Sequence, residues 1–226
     1  MQLNDQITMP NIFQSISKEA EAVRSQSAQR YGRLWDAYIT IGELLSSLNL
    51  QGAEDPISVP ESASQRISLT ANLLQSTTIV EQTISSGFYW AASALLRQHM
   101  EALARITHIR DGKPPIASRS PNVSVLPFNL SSNYGRLSEL AHVSRGELLS
   151  DFALSSSGEE IATCVPTYRE EWSRHLLHVH IAHMIVLAIE IDLLHKELYP
   201  RKAKIDSNSR LQEVATILIN EGFWKN

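Results

Sequence analysis

Two stretches of the chain place charged residues where a helix calls for apolar ones. One is Gly87-Phe-Tyr-Trp-Ala-Ala-Ser-Ala-Leu-Leu-Arg97-Gln-His99-Met-Glu101-Ala-Leu-Ala-Arg-Ile-Thr-His108, and the other is Tyr134-Gly-Arg-Leu-Ser138-Glu139-Leu-Ala-His142-Val-Ser144. At about 100° per residue, Arg97, Glu101, Ala104 and His108 share one sector of a helix, with Trp90 and Ser93 extending it. Phe88, Leu95, Leu103 and Ile106 take the opposite side. An Arg and a Glu one turn apart among aromatic and aliphatic neighbours cost several kcal/mol to bury unpaired, so they either pair or lie on a wet seam. A surface ion pair is one reading, although Arg preceding Glu is the poorer order for it. The other is a seam joining Arg97 and Glu101 to the helix of Ser138, Glu139 and His142, in which removing either charge destabilises the fold strongly.

Glu139 and His142 stand three residues apart, a spacing that lets one helix offer a carboxylate and an imidazole to the same metal. A di-iron bundle needs a second such pair and two more carboxylates; Asp192-Leu-Leu-His195, with Glu101 and Glu190, approximates them. His175, His178, His180 and His183 crowd another helix, but His175 and His178 share one face and His180 and His183 another. They do not converge on one metal without ligands from elsewhere, and read as surface histidines able to take up nickel or zinc adventitiously. No glycine-rich phosphate loop, Gly-x-Ser-x-Gly elbow or Cys/His nucleophile arrangement is present, so no cofactor is expected.

An Arg followed by four to six residues and then a His occurs three times: Arg169-Glu-Glu-Trp-Ser-Arg-His175, Arg174 to His180 and Arg136 to His142. The first lies at the start of the last long helix. In that place it resembles the motif of HEPN bundles, a nucleotide-binding and ribonuclease superfamily, in which Arg stabilises the phosphorane and His transfers protons. Glu170 departs from the small polar residue usual after that Arg. Read together, Leu96-Arg97-x-x-x-Glu101 and Leu137-Ser138-Glu139-x-x-His142 also resemble a loosely defined group of bacterial helical proteins, similar to HEPN-like and phage-defence components, over about Ser85 to Leu198. That resemblance implies a bundle in which Arg97, Glu101 and His142 meet.

The elements that must position these residues are helical. Apolar residues recur at three and four from about Asn11 to Leu48, Gln65 to Ser85, Ser86 to Arg110, Ser132 to Ser144, Thr167 to Leu198 and Ser209 to Glu221. Ser86–Arg110, apolar on most of its circumference, is expected at the centre. Gln51–Ser64 and Asp111–Ser132 hold prolines and read as connections. Leu148 to Thr167 is either loop or a small hairpin turning at Ser155-Ser-Ser-Gly158. The expectation is an all-α bundle of five or six helices, with long connecting loops, forming one domain over 1–226.

Composition narrows the function. A formal net charge of −4 argues against a broad nucleic-acid surface but allows a small RNA-cleaving cleft. A single cysteine, Cys164, excludes an internal disulfide and a thiolate zinc cluster. A polar N-terminus and an apolar run interrupted by His183, Glu190 and Asp192 lead to the expectation of a cytoplasmic protein with no membrane partner. Ile185 and Ile189 on the closing helix are expected to face a second copy in a homodimer. Three classes remain: a metal-independent endoribonuclease using Arg169 and His175 or the Arg97/His142 seam; a non-catalytic interaction or regulatory protein acting on a partner protein; and a metal-dependent enzyme built on Glu139 and His142.

Overall fold

The computed structural model describes residues 10–50, 58–113, 119–141, 164–200 and 206–224. Among these are seven α-helices and no strand: α1 (Pro10–Tyr31), α2 (Arg33–Leu50), α3 (Glu61–Ser85), α4 (Tyr89–Arg110), α5 (Ser131–Ala141), α6 (Glu170–Leu198) and α7 (Ser207–Asn220). The all-α expectation holds, with seven helices in place of five or six. Residues 152–163 of the suggested hairpin lie outside the described residues.

The extra helix comes from Gly32. Its φ of 52° is left-handed, a conformation glycine adopts without strain, and it divides the expected Asn11–Leu48 helix into α1 and α2. The helical pattern continues through the break because Tyr31 and Leu34 are both buried on the core side. On α1 the buried stripe is Val23, Ser27 and Tyr31, spaced by four; on α2 it is Leu34, Ala37, Ile41, Leu44, Leu45 and Leu48.

A second glycine fixes the α3–α4 turn. Gly87 has φ 83°, and a Cβ there would stand 3.0 Å from Val23 Cγ1 and 3.2 Å from both Pro166 Cβ and the Thr167 carbonyl. The turn thereby brings α1, the α3–α4 hairpin and the lead into α6 to one point. Two acidic residues, Glu170 and Glu171, occupy the first turn of α6, where they complement its dipole.

The central helix is α6, not α4. Of its 29 residues 18 are buried, against 11 of 22 on α4. It packs against α2, α3 and α4, with α1 and α7 near it as well. It is also long and apolar enough to cross a membrane by length and composition, yet 83% of its most apolar window is buried against this chain's own helices. Ile185, expected to remain free for a second copy, is 2% exposed within the single chain, and Ile189 is partly covered.

At the far end of α6 a buried ion network joins three helices. Arg66 on α3 donates to Glu190 at 2.6 Å and to Glu197 at 2.5 Å, and Arg110 on α4 donates to the other Glu190 oxygen at 3.0 Å. Arg66 and Glu190 are 3% and 2% exposed. Burial raises the Glu190 carboxyl above its ordinary pKa, against the pull of both arginines. Glu190→Ala would leave the Arg66 charge buried without its main partner, so a loss of about 3–5 kcal/mol is expected in denaturant unfolding; a change under 1 kcal/mol would show that the network does not hold the helices.

Candidate functional site

The α4–α5 seam exists, and Tyr134 closes it. Arg97 and Glu101 pair at 2.9 Å, the Tyr134 hydroxyl donates to Glu101 Oε1 at 2.7 Å, and the Arg97 guanidinium lies 5.7 Å from the Tyr134 ring centroid. Tyr134 and then Glu101 raise the Arg97 pKa further. Two turns nearer the start of α4, Trp90 Nε1 donates to the Leu140 carbonyl at 3.0 Å. Arg97 and Glu101 therefore reach α5 as expected, through Tyr134. Glu139 on the same helix is partly buried, the Ser138 hydroxyl is buried without a hydrogen bond, and His142 lies outside the described residues.

The pair is 21% and 24% exposed, so the large penalty of full burial does not apply. Arg97→Ala, Glu101→Ala and Tyr134→Phe should each cost about 1 kcal/mol, in place of the strong destabilisation expected of a sealed pair. Thermal unfolding of the three variants checks this, and losses above about 3 kcal/mol would mean that the seam is effectively sealed.

Arg169 and His175 are placed against different neighbours. Arg169 forms the N-cap of α6, and its backbone N–H donates to the Tyr89 hydroxyl at 3.0 Å. His175, half-buried, lies 6.5 Å from the Phe223 ring. Burial lowers its pKa, Arg136 lowers it further and Glu171 opposes them. Arg136 reaches it from α5: its guanidinium lies 4.1 Å over the Trp172 ring and 3.8 Å from Glu171. The arginine whose charge acts on His175 is thus Arg136. The approximate di-iron set also disperses: Glu190 is held by two arginines, Asp192 pairs with Lys196, and Glu101 pairs with Arg97.

Three of the four histidines expected at the surface are buried, and His175 is half-buried. His178, His180 and His183 are 7%, 0% and 2% exposed. His178 stacks on Phe223 at 5.3 Å, whereas His180 and His183 turn inward toward α4. There His99, a residue outside the sector of Arg97 and Glu101, lies 6.4 Å from each of them between ring centroids. The three rings, with Thr77 and Met184, line an internal void of about 10 Å³. Both ring nitrogens of His183 lack hydrogen bonds, and His180 has the Thr77 backbone as its one hydrogen-bond partner. His99 Nε2 meets Ser76 Oγ at 2.7 Å. That hydroxyl also reaches the Asn72 and Leu73 carbonyls at 2.9 and 3.0 Å. The Ser76 hydroxyl carries one hydrogen, and the donor across its contact with His99 Nε2 is set by the His99 tautomer. A larger pocket of about 720 Å³ between α2 and α3, with Tyr38, Thr78 and Arg210 on its walls, shares Thr77 and Met184 with the void.

Burial pushes His99 down to about 4, His178 to about 4, His180 to about 3, and His183 well below its ordinary value. The folded chain rejects protons that the unfolded chain accepts at about pH 6.5, so stability is full above that pH and falls as pH drops toward 4. Each of these histidines contributes a slope of about 1.4 kcal/mol per pH unit in that window. Acid unfolding followed by circular dichroism should show its midpoint between about pH 4 and 6; a fold unchanged at pH 4 would contradict the burial of these rings.

The chain matches no protein-family model, no curated protein and no solved structure.

Proposed function

We propose that this chain is a HEPN-like bundle that cleaves RNA without a metal, with His175 as the proton-transfer group and Arg136, in place of Arg169, as the guanidinium beside it. The observation that supports this reading is the meeting of α5 and α6, where Arg136 lies over Trp172, near Glu171 and close enough to lower the His175 pKa. A neutral imidazole is the form that accepts a proton at pH 7. In this reading His175 takes the proton of an RNA 2′-hydroxyl as its oxygen attacks the adjacent phosphorus, and the departing 5′-oxygen takes a proton back. Arg136 stabilises the charge that develops on the phosphorane oxygens. The net charge of −4 suits a small cleft of this kind and not an extended RNA surface. A two-fold dimer would bring two such sets together; with Ile185 covered, it would use exposed apolar residues such as Phe88 and Trp90.

A second reading, a non-catalytic interaction protein, is favoured by the Arg97–Glu101–Tyr134 contacts, which spend the most conspicuous polar pair on fastening α5 to α4. Untagged protein incubated with single-stranded RNA and EDTA separates the two. The nuclease reading expects products ending in a 2′,3′-cyclic phosphate, with the rate reduced about 100-fold or more in His175→Ala and Arg136→Ala and retained in Glu139→Gln. Intact RNA would leave the interaction reading in its place.

A further inference from the structure

We propose that Phe128 is a stacking platform for one unpaired base of a single-stranded RNA, mounted at the end of a strip of aromatic rings that leads to His175. The inference rests on the RNA-cleaving reading of Arg136 and His175, and concerns how that site holds its strand.

The rings are contiguous. Phe223 lies 6.5 Å from His175 and stacks flat on His178 at 5.3 Å. Trp224 follows at 5.5 Å from Phe223, and Phe128 lies 5.2 Å from Trp224. They come from α6, from the segment after α7 and from the turn before α5. Phe223 and Trp224 are half-buried, whereas Phe128 is 41% exposed. The outermost ring is therefore the one open to a ligand.

The backbone under Phe128 is an independent observation. Its φ is 61°, and that of Asn129 is 53°. Asparagine accepts the left-handed region at low cost, but a bulky aromatic residue there is an outlier. Full burial of the ring would offset the strain, yet Phe128 stays open to water and rests on Trp224. Strained residues that the core does not require cluster at ligand-binding sites. The same turn leads directly into α5, so the helix that carries Arg136 also holds this ring in place.

The chemistry of the occupant follows from the ring. A phenyl ring has neither donor nor acceptor, so it recognises a flat π face and not a base edge. A base inside a duplex has both faces covered, so the strand must be single. Arg174, whose charge reaches His178, is already paired with Glu221. Stacking, and not a row of free cations, is left to hold the strand along the strip. Phe128 is separated from His175 by Trp224 and Phe223, so the stacked base belongs to a neighbour of the nucleotide that is cut.

The test is fluorescence anisotropy of a short labelled single strand with the full chain, the RNA being 2′-O-methylated so that no 2′-hydroxyl can attack. Phe128→Gly removes the ring and relieves the left-handed strain. Its Tm should stay within about 3 °C of the parent while RNA affinity falls about tenfold. Phe128→Trp should keep the affinity. With the parent protein, an abasic site at one position of the RNA should weaken binding by a similar factor, a readout that needs no variant to fold. No binding by the parent, no abasic position that matters, or equal affinity for a duplex of the same sequence would each overturn the platform. A lowered Tm with unchanged affinity in Phe128→Gly would make the ring ordinary packing against Trp224. Cleavage of unmodified RNA with a rate and KM indifferent to Phe128→Gly would overturn the platform and leave the nuclease reading standing. Phe128-dependent binding by a parent that leaves unmodified RNA intact would do the reverse.

Discussion

The near-complete burial of α6 sets the terms for the rest of the molecule. An amphipathic helix hides one face and leaves its polar residues to water. Here α6 is enclosed by α2, α3 and α4, so each polar side chain on it must be met by a neighbouring helix or go unmet. At its start the Ser173 hydroxyl meets the Tyr31 hydroxyl at 2.8 Å. At its end Glu190 meets Arg66 and Arg110. In the middle His180 lies among Tyr38, His99 and the Thr77 backbone, and His183 faces His99 with neither ring nitrogen hydrogen-bonded.

Helix α4 divides two polar environments. Arg97 and Glu101 face α5 on one side, each with a fifth to a quarter of its side chain exposed. His99, two residues from each and so on the opposite face, looks into the core at 6% exposure. The same helix therefore borders a wet seam, where ion pairs are cheap, and a dry cluster, where a charge would be costly. Tyr38 extends the dry side: its ring lies 6.0 Å from His180, and burial followed by the nearby Glu81 pushes its hydroxyl up to about 12.

Periodicity locates most helices within a few residues because apolar spacing is a local property. It misses the division at Gly32, where the core-facing stripe passes through a left-handed residue without losing phase. It ranks α4 above α6 as the central helix, since the five polar residues buried on α6 look like reasons for exposure until their partners on α1, α3 and α4 are known. The seam was half legible. Charge spacing picked out Arg97 and Glu101, but Tyr134, which links them to α5, is not ionised and drew no notice within its own run. His99 carried a readable signal as a polar residue continuing the stripe of Leu95, Leu103 and Ile106. Arg136 beside His175 carried none, because spacing along one helix cannot say which side chain arrives from another.

The His99–His180–His183 cluster is where local preference and global fold disagree most. Three leucines of similar bulk would fill the space between α4 and α6 without unmet polar atoms. The network around Glu190 carries a comparable polar burden, but its charges are matched and its geometry explains itself as a fastening of α3, α4 and α6. Ser76 and Thr77 satisfy their own hydroxyls on α3 backbone carbonyls, so neither has a hydrogen to spare for the rings of α6. Conflicts of this kind, placed inside an otherwise consistent core, mark positions held for a purpose other than packing.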